Sequence, residues 1–347
     1  MRASLVIEPA VLAMPALSED EQSIARSIER IIQVSGAIRD DDFGICLLGE
    51  AENYLAEAQL YPVSHSISQA LADCGLSHVY TPEDIRRSVQ NILQRASRLE
   101  DVSGVEFLIP ESMRVEPDIL STREEAALKE ALEVTLAHVA MLTERASKLS
   151  VRALLADVYA DDEVELFLEI TNIAPPLPDR TDRRSISCPV GLSNSVFSFA
   201  DKLDGDELWR MAENEPELSA AIAVKARSLR RASGCPAPKD NCEKFAIGSA
   251  FLDTLRACQS VPSGKYGHAA FEAFARLVAG SPTAAPKKLY KLSETGRRED
   301  VVRTDGAIGW RLHITKSGEA IRLMFWRRYD ASIEFANVGP KADVKIH

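Results

Sequence analysis

No stretch of the sequence approaches the roughly 18 consecutive apolar residues that a membrane-spanning helix needs. The run ASLVIEPAVLAMPA near the start is broken by Glu8 and Pro9 and preceded by a single basic residue, Arg2, which argues against a secretory leader and for the cytoplasm. Cysteine is sparse. Cys46, Cys74, Cys188, Cys235, Cys242 and Cys258 include no CxxC pair. The closest two, Cys235 and Cys242, have no histidine near them and make a poor zinc knuckle, so reduced, mostly buried thiols are expected, with no metal and no cofactor. Internal repeats and low-complexity tracts are absent as well, which excludes solenoid architectures.

What is present fits an ordinary globular chain: 347 residues, 46% hydrophobic and 27% charged, enough for two or three domains. The net charge of −11 alone speaks against a nucleic-acid partner. Its distribution does not. Residues 243–347 carry 17 lysines and arginines against 11 acids, a net +6, which leaves −17 on the preceding 242 residues. A basic module joined to an acidic body points to nucleic-acid contact by one part, or to an acidic part that covers the basic one.

Hydrophobic spacing predicts an α+β, multidomain chain. Residues 1–150 read as a mainly helical regulatory or sensor domain. Ser18 with Glu21 makes a capping box ahead of Ile24, Ile28, Ile31 and Ile32. Thr81-Pro82-Glu83-Asp84 starts a second helix, with Ile85, Val89, Ile92, Leu93, Ala96 and Leu99 on one stripe. Ser121–Ser147 is the longest helical pattern, with Glu124 and Glu125 near its start and Arg145 and Lys148 near its end; Thr122–Ser147 is a candidate homodimer surface. Residues 151–231 read as a small α+β middle segment. Val151–Tyr159 and Val164–Thr171 form a hairpin around an acidic turn at 160–163, Asn172–Asp182 is a loop, and Ile186–Leu192 a returning strand. One helix runs from Asp206 to Arg231, ending in Arg227, Arg230 and Arg231. Residues 232–242 read as a linker, because glycine, two prolines and short polar residues cannot continue that helix.

The C-terminal domain, 243–347, has the order strand, helix, helix and three strands. Phe245 and Ile247 lie in the first strand. Phe251, Leu252 and Leu255 mark one helix, capped by Ser249. Phe271, Phe274, Leu277 and Val278 mark the next, between Gly264 and Gly280. Trp310–Thr315, Ile321–Arg328 and Ser332–Val338 then form an antiparallel meander, since their connections are short. Alternation sends Trp310, Leu312, Ile314, Ile321, Leu323 and Phe325 to the helices. The same pleat gathers Arg311, His313, Arg322 and Trp326 on the other face, which is read as uncovered. A lone strand histidine is more often structural. Arginines two residues away and across a strand raise the case for catalysis.

The run GWRLHITKSGEAIRLMFWRR followed by ASIEFANVGPKADVKIH resembles the RelE/ParE toxin superfamily. Arg311-Leu312-His313 matches that family's basic–apolar–basic strand, Gly318 and Arg322 its glycine turn and following arginine, and Val338-Gly339-Pro340-Lys341 its closing strand. Lys287-Lys288-Leu289 matches its lysine–leucine segment. The resemblance implies a β-α-α-β-β-β fold with two helices on one face of an antiparallel sheet. It also implies a RelE-type mRNA interferase, an endoribonuclease that binds the ribosome and inhibits translation by cutting mRNA, as in toxin–antitoxin or anti-phage defence. In that chemistry the ribose 2′-hydroxyl attacks its own phosphodiester, which calls for a base, an acid and cations. Arg311 and Arg322 suit the cationic role, and His313 the proton transfer. His347 is a second acid/base candidate, or an unordered end. The family's tyrosine near the C-terminus is missing, and either His347 replaces it or catalysis is weaker. Trp326 either stacks a base or fills the sheet face. Lys287, Lys288, Arg327, Arg328 and Lys341 suit ribosomal RNA phosphates.

Two other readings stay open: a ParE-like inhibitor of a topoisomerase, and a non-catalytic module that docks on RNA, the ribosome or a protein. The first 242 residues resemble no family by their residues. Toxins of this type usually stand beside a separate antitoxin, so the long fused region is expected to restrain the nuclease until an activating ligand or antitoxin-like partner arrives. An arrangement in which a nucleotide-sensing Rossmann-like domain of CRISPR defence is fused to such a module exists, but the first strand here lacks a Gly/Ser-rich turn.

Overall fold

A computed structural model describes residues 3–14, 21–38, 43–145, 151–157, 162–173, 181–233, 244–292, 296–315, 319–343 and 345–347. Contacts within the chain group it into two compact units, Arg2–Leu203 and Asp204–His347.

The first unit has more helix than strand over the expected helical stretch, but its strands form a sheet. In chain order it contains β1 (Ser4–Ile7), α1 (Glu21–Ala37), β2 (Gly44–Leu47), α2 (Ala51–Glu57), α3 (Ser64–Asp73), α4 (Pro82–Arg95), β3 (Ser97–Arg98), α5 (Leu99–Ser103), β4 (Phe107–Glu116), α6 (Ala126–Arg145), β5 (Val151–Leu154), β6 (Asp162–Ile173), β7 (Thr181–Leu192) and α7 (Val196–Lys202). Seven strands form one sheet in the order β3-β2-β1-β5-β7-β6-β4. The β3-β2-β1-β5 half is parallel and joined by helical crossovers, whereas β7-β6-β4 is antiparallel.

Both faces of β1, β2 and β5 are covered. Val6, Cys46 and Ala153 join the core beneath α6, and Leu5, Ile7, Leu47 and Leu154 on the opposite face are equally buried. Such strands read as short continuous apolar runs rather than alternating ones. That corrects the expected hairpin at Val151: β5 pairs in parallel with β1 and β7, and the long hairpin is β6 with β7. Of the loop expected at Asn172–Asp182, residues 172, 173, 181 and 182 are strand, and 174–180 lie outside the described residues.

The Thr81 start is as read, with the Thr81 and Asp84 side chains capping each other's backbone N–H groups. Ser18 of the other expected box lies outside the described residues. Helix α6 is buried continuously from Thr135 to Thr143. It therefore offers no free face there for the dimer contact expected of it.

Within α6, His138 is 1% exposed and lies 2.8 Å from Ser103 Oγ. Burial pushes this imidazole down to about 4, with the Glu100 charge opposing. The folded state thus binds this proton less readily than the unfolded one. Its stabilising contribution is complete above the ordinary value of 6.5 and lost as pH falls towards 4. Urea unfolding between pH 7 and pH 4 should show about 3 kcal/mol of lost stability from this group, at 1.36 kcal/mol per pKa unit. His138→Gln should remove that component; an unchanged slope would count against it.

The second unit begins with α8 (Gly205–Met211) and α9 (Glu215–Ala232), followed by β8 (Phe245–Ile247), α10 (Phe251–Ala257), α11 (Gly267–Val278), β9 (Lys287–Lys288), β10 (Tyr290–Leu292), β11 (Arg298–Asp300), β12 (Ile308–His313), β13 (Ile321–Arg327) and β14 (Ile333–Pro340). The single helix expected over Asp206–Arg231 is two. Asn214 caps the second, accepting from Glu217 N, with Pro216 in its first turn.

These helices belong with the C-terminal sheet. Trp209 stacks on Phe271 at 4.7 Å, and Arg230 Nε donates to Ala279 O at 3.1 Å. The core then passes from Phe274 through Phe251 to Phe335 by ring contacts of 5.3–5.5 Å. Contacts therefore divide the chain before α8, ahead of the expected linker at 232–242. Most of that segment lies outside the described residues, as do Cys235 and Cys242; Cys46, Cys74, Cys188 and Cys258 are not joined in disulfides.

The five-stranded sheet has the order β8-β14-β13-β12-β9, with β8 parallel to β14 and the other pairs antiparallel. The element order agrees with the meander expectation. The structure adds β9 at the edge and the two-stranded ribbon β10–β11.

Candidate functional site

Paired residues in an antiparallel ladder share a face. Opposite Trp310, Leu312 and Ile308 stand Phe325, Leu323 and Arg327, and beyond these Phe335, Val338 and Ile333. This is the helix-covered face. On the reverse face Arg311 pairs with Met324, His313 with Arg322 and Gly309 with Trp326; on β14 Arg322, Met324 and Trp326 meet Gly339, Asn337 and Glu334. Arg311, His313 and Arg322 are therefore neighbours, and Lys287, paired with Arg311 across the edge strand, joins them.

The arginines are held in an unusual way. Arg322 is 7% exposed, its Nη1 donates to Lys341 O at 3.2 Å, and its Nε is buried without a partner. The Nε of Arg311 is likewise buried and unpartnered. Among the described residues neither guanidinium makes an ion pair. Burial lowers the pKa of Arg322, and the neighbouring charge of Arg311 lowers it further. Two adjacent cations that disfavour each other need a counter-charge, and a phosphate bound in bidentate fashion is a natural one. Over Gly339 the face is closely packed by the Met324 and Asp343 side chains. A Cβ there would meet Met324 Cε at 3.0 Å and Asp343 Oδ2 at 3.1 Å.

The face is not bare, contrary to the sequence expectation. The segment after β14 lies across part of it. Trp326 is only 5% exposed, packs with Ala307, Ala336 and Ile346, and donates its indole N–H to His347 O at 3.2 Å. The Arg303 guanidinium sits 5.1 Å from its ring centroid, and Glu334 binds both Arg303 and Arg328 at 2.6 Å. Trp326 thus fills the sheet face and has no ring surface free to stack a base. His347 keeps an exposed side chain on a fixed backbone.

The remaining cations separate. Lys341 is exposed beside Arg322, which its carbonyl anchors. Lys288 pairs with Asp300 at 2.6 Å on the helix-side face, and Arg327 lies over the Trp310 ring at 5.6 Å on that same side. Arg328 is committed to Glu334. Gly318 lies outside the described residues. Asn337, Arg303 and Glu334 were not singled out from sequence. Their roles depend on which strands meet, and no local spacing signals that.

In the N-terminal unit, Arg26, Glu29, Arg30, Gln33, Asn194 and Ser195 line a cleft of about 400 Å³. It stands at the carboxyl ends of β5 and β7. There the buried Arg30 donates to the carbonyls of Asn194, Leu155 and Ala156 at 3.1, 2.9 and 2.8 Å. Among the described residues no group of three histidine, cysteine or acidic side chains could hold a metal ion, and no helix is long and apolar enough to cross a membrane. Comparison with family models, with curated proteins and with solved structures finds no match for this chain.

Proposed function

We propose that the C-terminal unit is a RelE-type endoribonuclease acting on mRNA in the ribosome, and that the N-terminal unit regulates it. The observation that carries the reading is the pair Arg311 and Arg322. These are neighbouring guanidiniums without an ion pair among the described residues, one of them nine-tenths buried, beside a histidine on the same sheet face.

In the reaction a base takes the proton of the ribose 2′-hydroxyl and the oxygen bonds to phosphorus. The bond to the 5′-oxygen breaks, and an acid protonates that oxygen. The products are a 2′,3′-cyclic phosphate and a 5′-hydroxyl. His313 and His347 supply the proton transfers, because imidazole changes charge near neutral pH. Arg311 and Arg322 hold the phosphorane oxygens as negative charge builds on them. Lys287 and Lys341 extend the cationic rim towards ribosomal RNA.

For the N-terminal unit, the strand order supports a ligand-sensing role. Parallel crossover-linked strands present their carboxyl ends as a crevice where doubly wound sheets bind ligands, and the Arg30 cleft opens there. The same order favours the Rossmann-like sensor despite the absent Gly/Ser-rich turn.

The test is cleavage of ribosome-bound mRNA by the full chain, His313→Ala and the fragment Asp204–His347. His313→Ala should lose activity by about 10²–10⁴-fold with ribosome binding intact. The fragment, shown to be folded, should cut faster than the full chain. Unchanged activity in His313→Ala overturns the catalytic assignment, and inhibition of a topoisomerase with mRNA intact transfers the module to the ParE side. A folded fragment that cuts no faster ends the proposal of restraint.

A further inference from the structure

Asn337 is wholly buried, and one segment engages both ends of its amide. Its Nδ2 donates to Lys345 O at 3.0 Å, and its Oδ1 accepts from His347 N at 3.2 Å. From the adjacent strand, Trp326 Nε1 donates to His347 O at 3.2 Å, while Ile346 between them packs on the cluster of Trp326, Ala307 and Ala336. The backbone of residues 345–347 is thus tied at three points, and the side chains of Lys345 and His347 stay exposed.

A bulge creates this arrangement. Phe335 stands opposite Phe325 on the helix side, so strict alternation would send Asn337 to the same side. The ladder instead skips Ala336 and sets Asn337 opposite Met324. One extra residue re-aims the amide to the face of Arg311 and Arg322, as bulges beside functional sites do. An amide placed in a core is costly unless its hydrogen bonds are met, and among the described residues this segment meets them.

We infer that Asn337 is a positioning residue, which fixes the backbone of residues 345–347 so that the His347 imidazole stands on the Arg311–Arg322 face as the second proton-transfer group beside His313. The inference rests on the endoribonuclease reading. A clamp that grips only backbone leaves the imidazole free to exchange protons while restricting where it can stand, which proton transfer in a defined geometry needs.

The chain has six histidines, so selective ¹³C-histidine labelling of the full-length protein gives six ring resonances, with His347 assigned by His347→Gln. Asn337→Ala should move the His347 signal to the shift and line width of a freely moving histidine and leave the other five in place. Cleavage of ribosome-bound mRNA should fall about as far as in His347→Ala, on the order of 10²-fold, with ribosome binding unchanged. The double variant should be no slower than either single one. If Asn337→Ala disturbs the other five signals, Trp326→Phe serves instead. It keeps an aromatic ring there, removes one bond to His347 and should shift the same resonance less. An unmoved His347 signal, or an Asn337→Ala effect that persists in full when His347 is already alanine, overturns the inference. If the unaltered chain cuts no mRNA, the nuclease reading fails, while the His347 resonance still decides whether Asn337 fixes that residue.

Discussion

Arg322→Met is expected to cut mRNA cleavage steeply and to leave the C-terminal unit as stable as before, or more so. Among the described residues Arg322 has a single hydrogen bond, to Lys341 O, an unpartnered Nε and the charge of Arg311 beside it. Taking a cation out of water costs several kcal/mol even after relaxation, and only a matched partner recovers it. No such partner is present among the described residues, so the folded protein carries this cost. Methionine occupies similar volume without charge, and replacing buried ionic groups in this way is neutral or stabilising by about 1–4 kcal/mol. At about 2–4 °C per kcal/mol for a unit of this size, a rise in Tm is measurable. Activity should move the other way, by about 10²–10³-fold, the usual loss when one donor to a developing anion is removed. Arg322→Lys should recover only part of it, because an ammonium keeps the charge and loses the fork. Retained cleavage in Arg322→Met, or a fall in stability of about 3 kcal/mol, would make Arg322 a structural residue and remove the main support for the nuclease reading.

The face that bears Arg322 was legible because strand alternation is local information. Once β12 and β13 are recognised, Arg311, His313 and Arg322 share a side whatever else the chain does. What covers that side was not legible. Trp326 was read as half available because its partners, Arg303 and residue 347, come from segments whose approach no periodicity encodes. Asn337 was hidden by the bulge at Ala336, which reverses the alternation seen from Phe335.

In the N-terminal unit the failure has a different cause. β1, β2 and β5 are four residues long and buried on both faces, so their apolar runs lack the alternation that marks a half-exposed strand. β4 contains Pro110, which argues against a central strand. It lies at the sheet edge with its register shifted at Pro110/Ser112, where proline is tolerated. Parallel partners such as β1 and β5 are also far apart in sequence, whereas the sequence reading paired β5 with its nearest neighbour.

That parallel half is held at one end by a buried charge cluster, and Arg123→Ala is expected to destabilise the N-terminal unit by about 3–5 kcal/mol. Glu8, directly after β1, is 0% exposed. Arg123 grips it with both arms of its guanidinium, Nε to Oε1 at 2.6 Å and Nη2 to Oε2 at 2.8 Å. The same Nη2 reaches Asp157, just beyond β5, at 2.8 Å, and Ala156 N donates to Glu8 Oε2 at 3.0 Å. One guanidinium therefore joins the carboxyl ends of the two strands between which the sheet order reverses. Removing it leaves a carboxylate in the core with one remaining backbone donor, which is why the cost exceeds that of a lost surface pair. Thermal unfolding should show a fall in Tm of about 10 °C. Glu8→Leu with Arg123→Met should recover most of it, since the penalty comes from the stranded charge rather than from the pair's own strength. Asp157 adds a pH signature. Burial raises its carboxyl, but the hydrogen bond and charge of Arg123 outweigh that and hold it below the usual range. This contribution is complete above the ordinary carboxylate value of 3.8 and is lost as pH falls through the depressed one, so the gap between the unaltered chain and Arg123→Ala should narrow in strong acid. A loss below about 1 kcal/mol in Arg123→Ala, or a double variant no better than the single, would mean that the cluster does not secure the parallel strands.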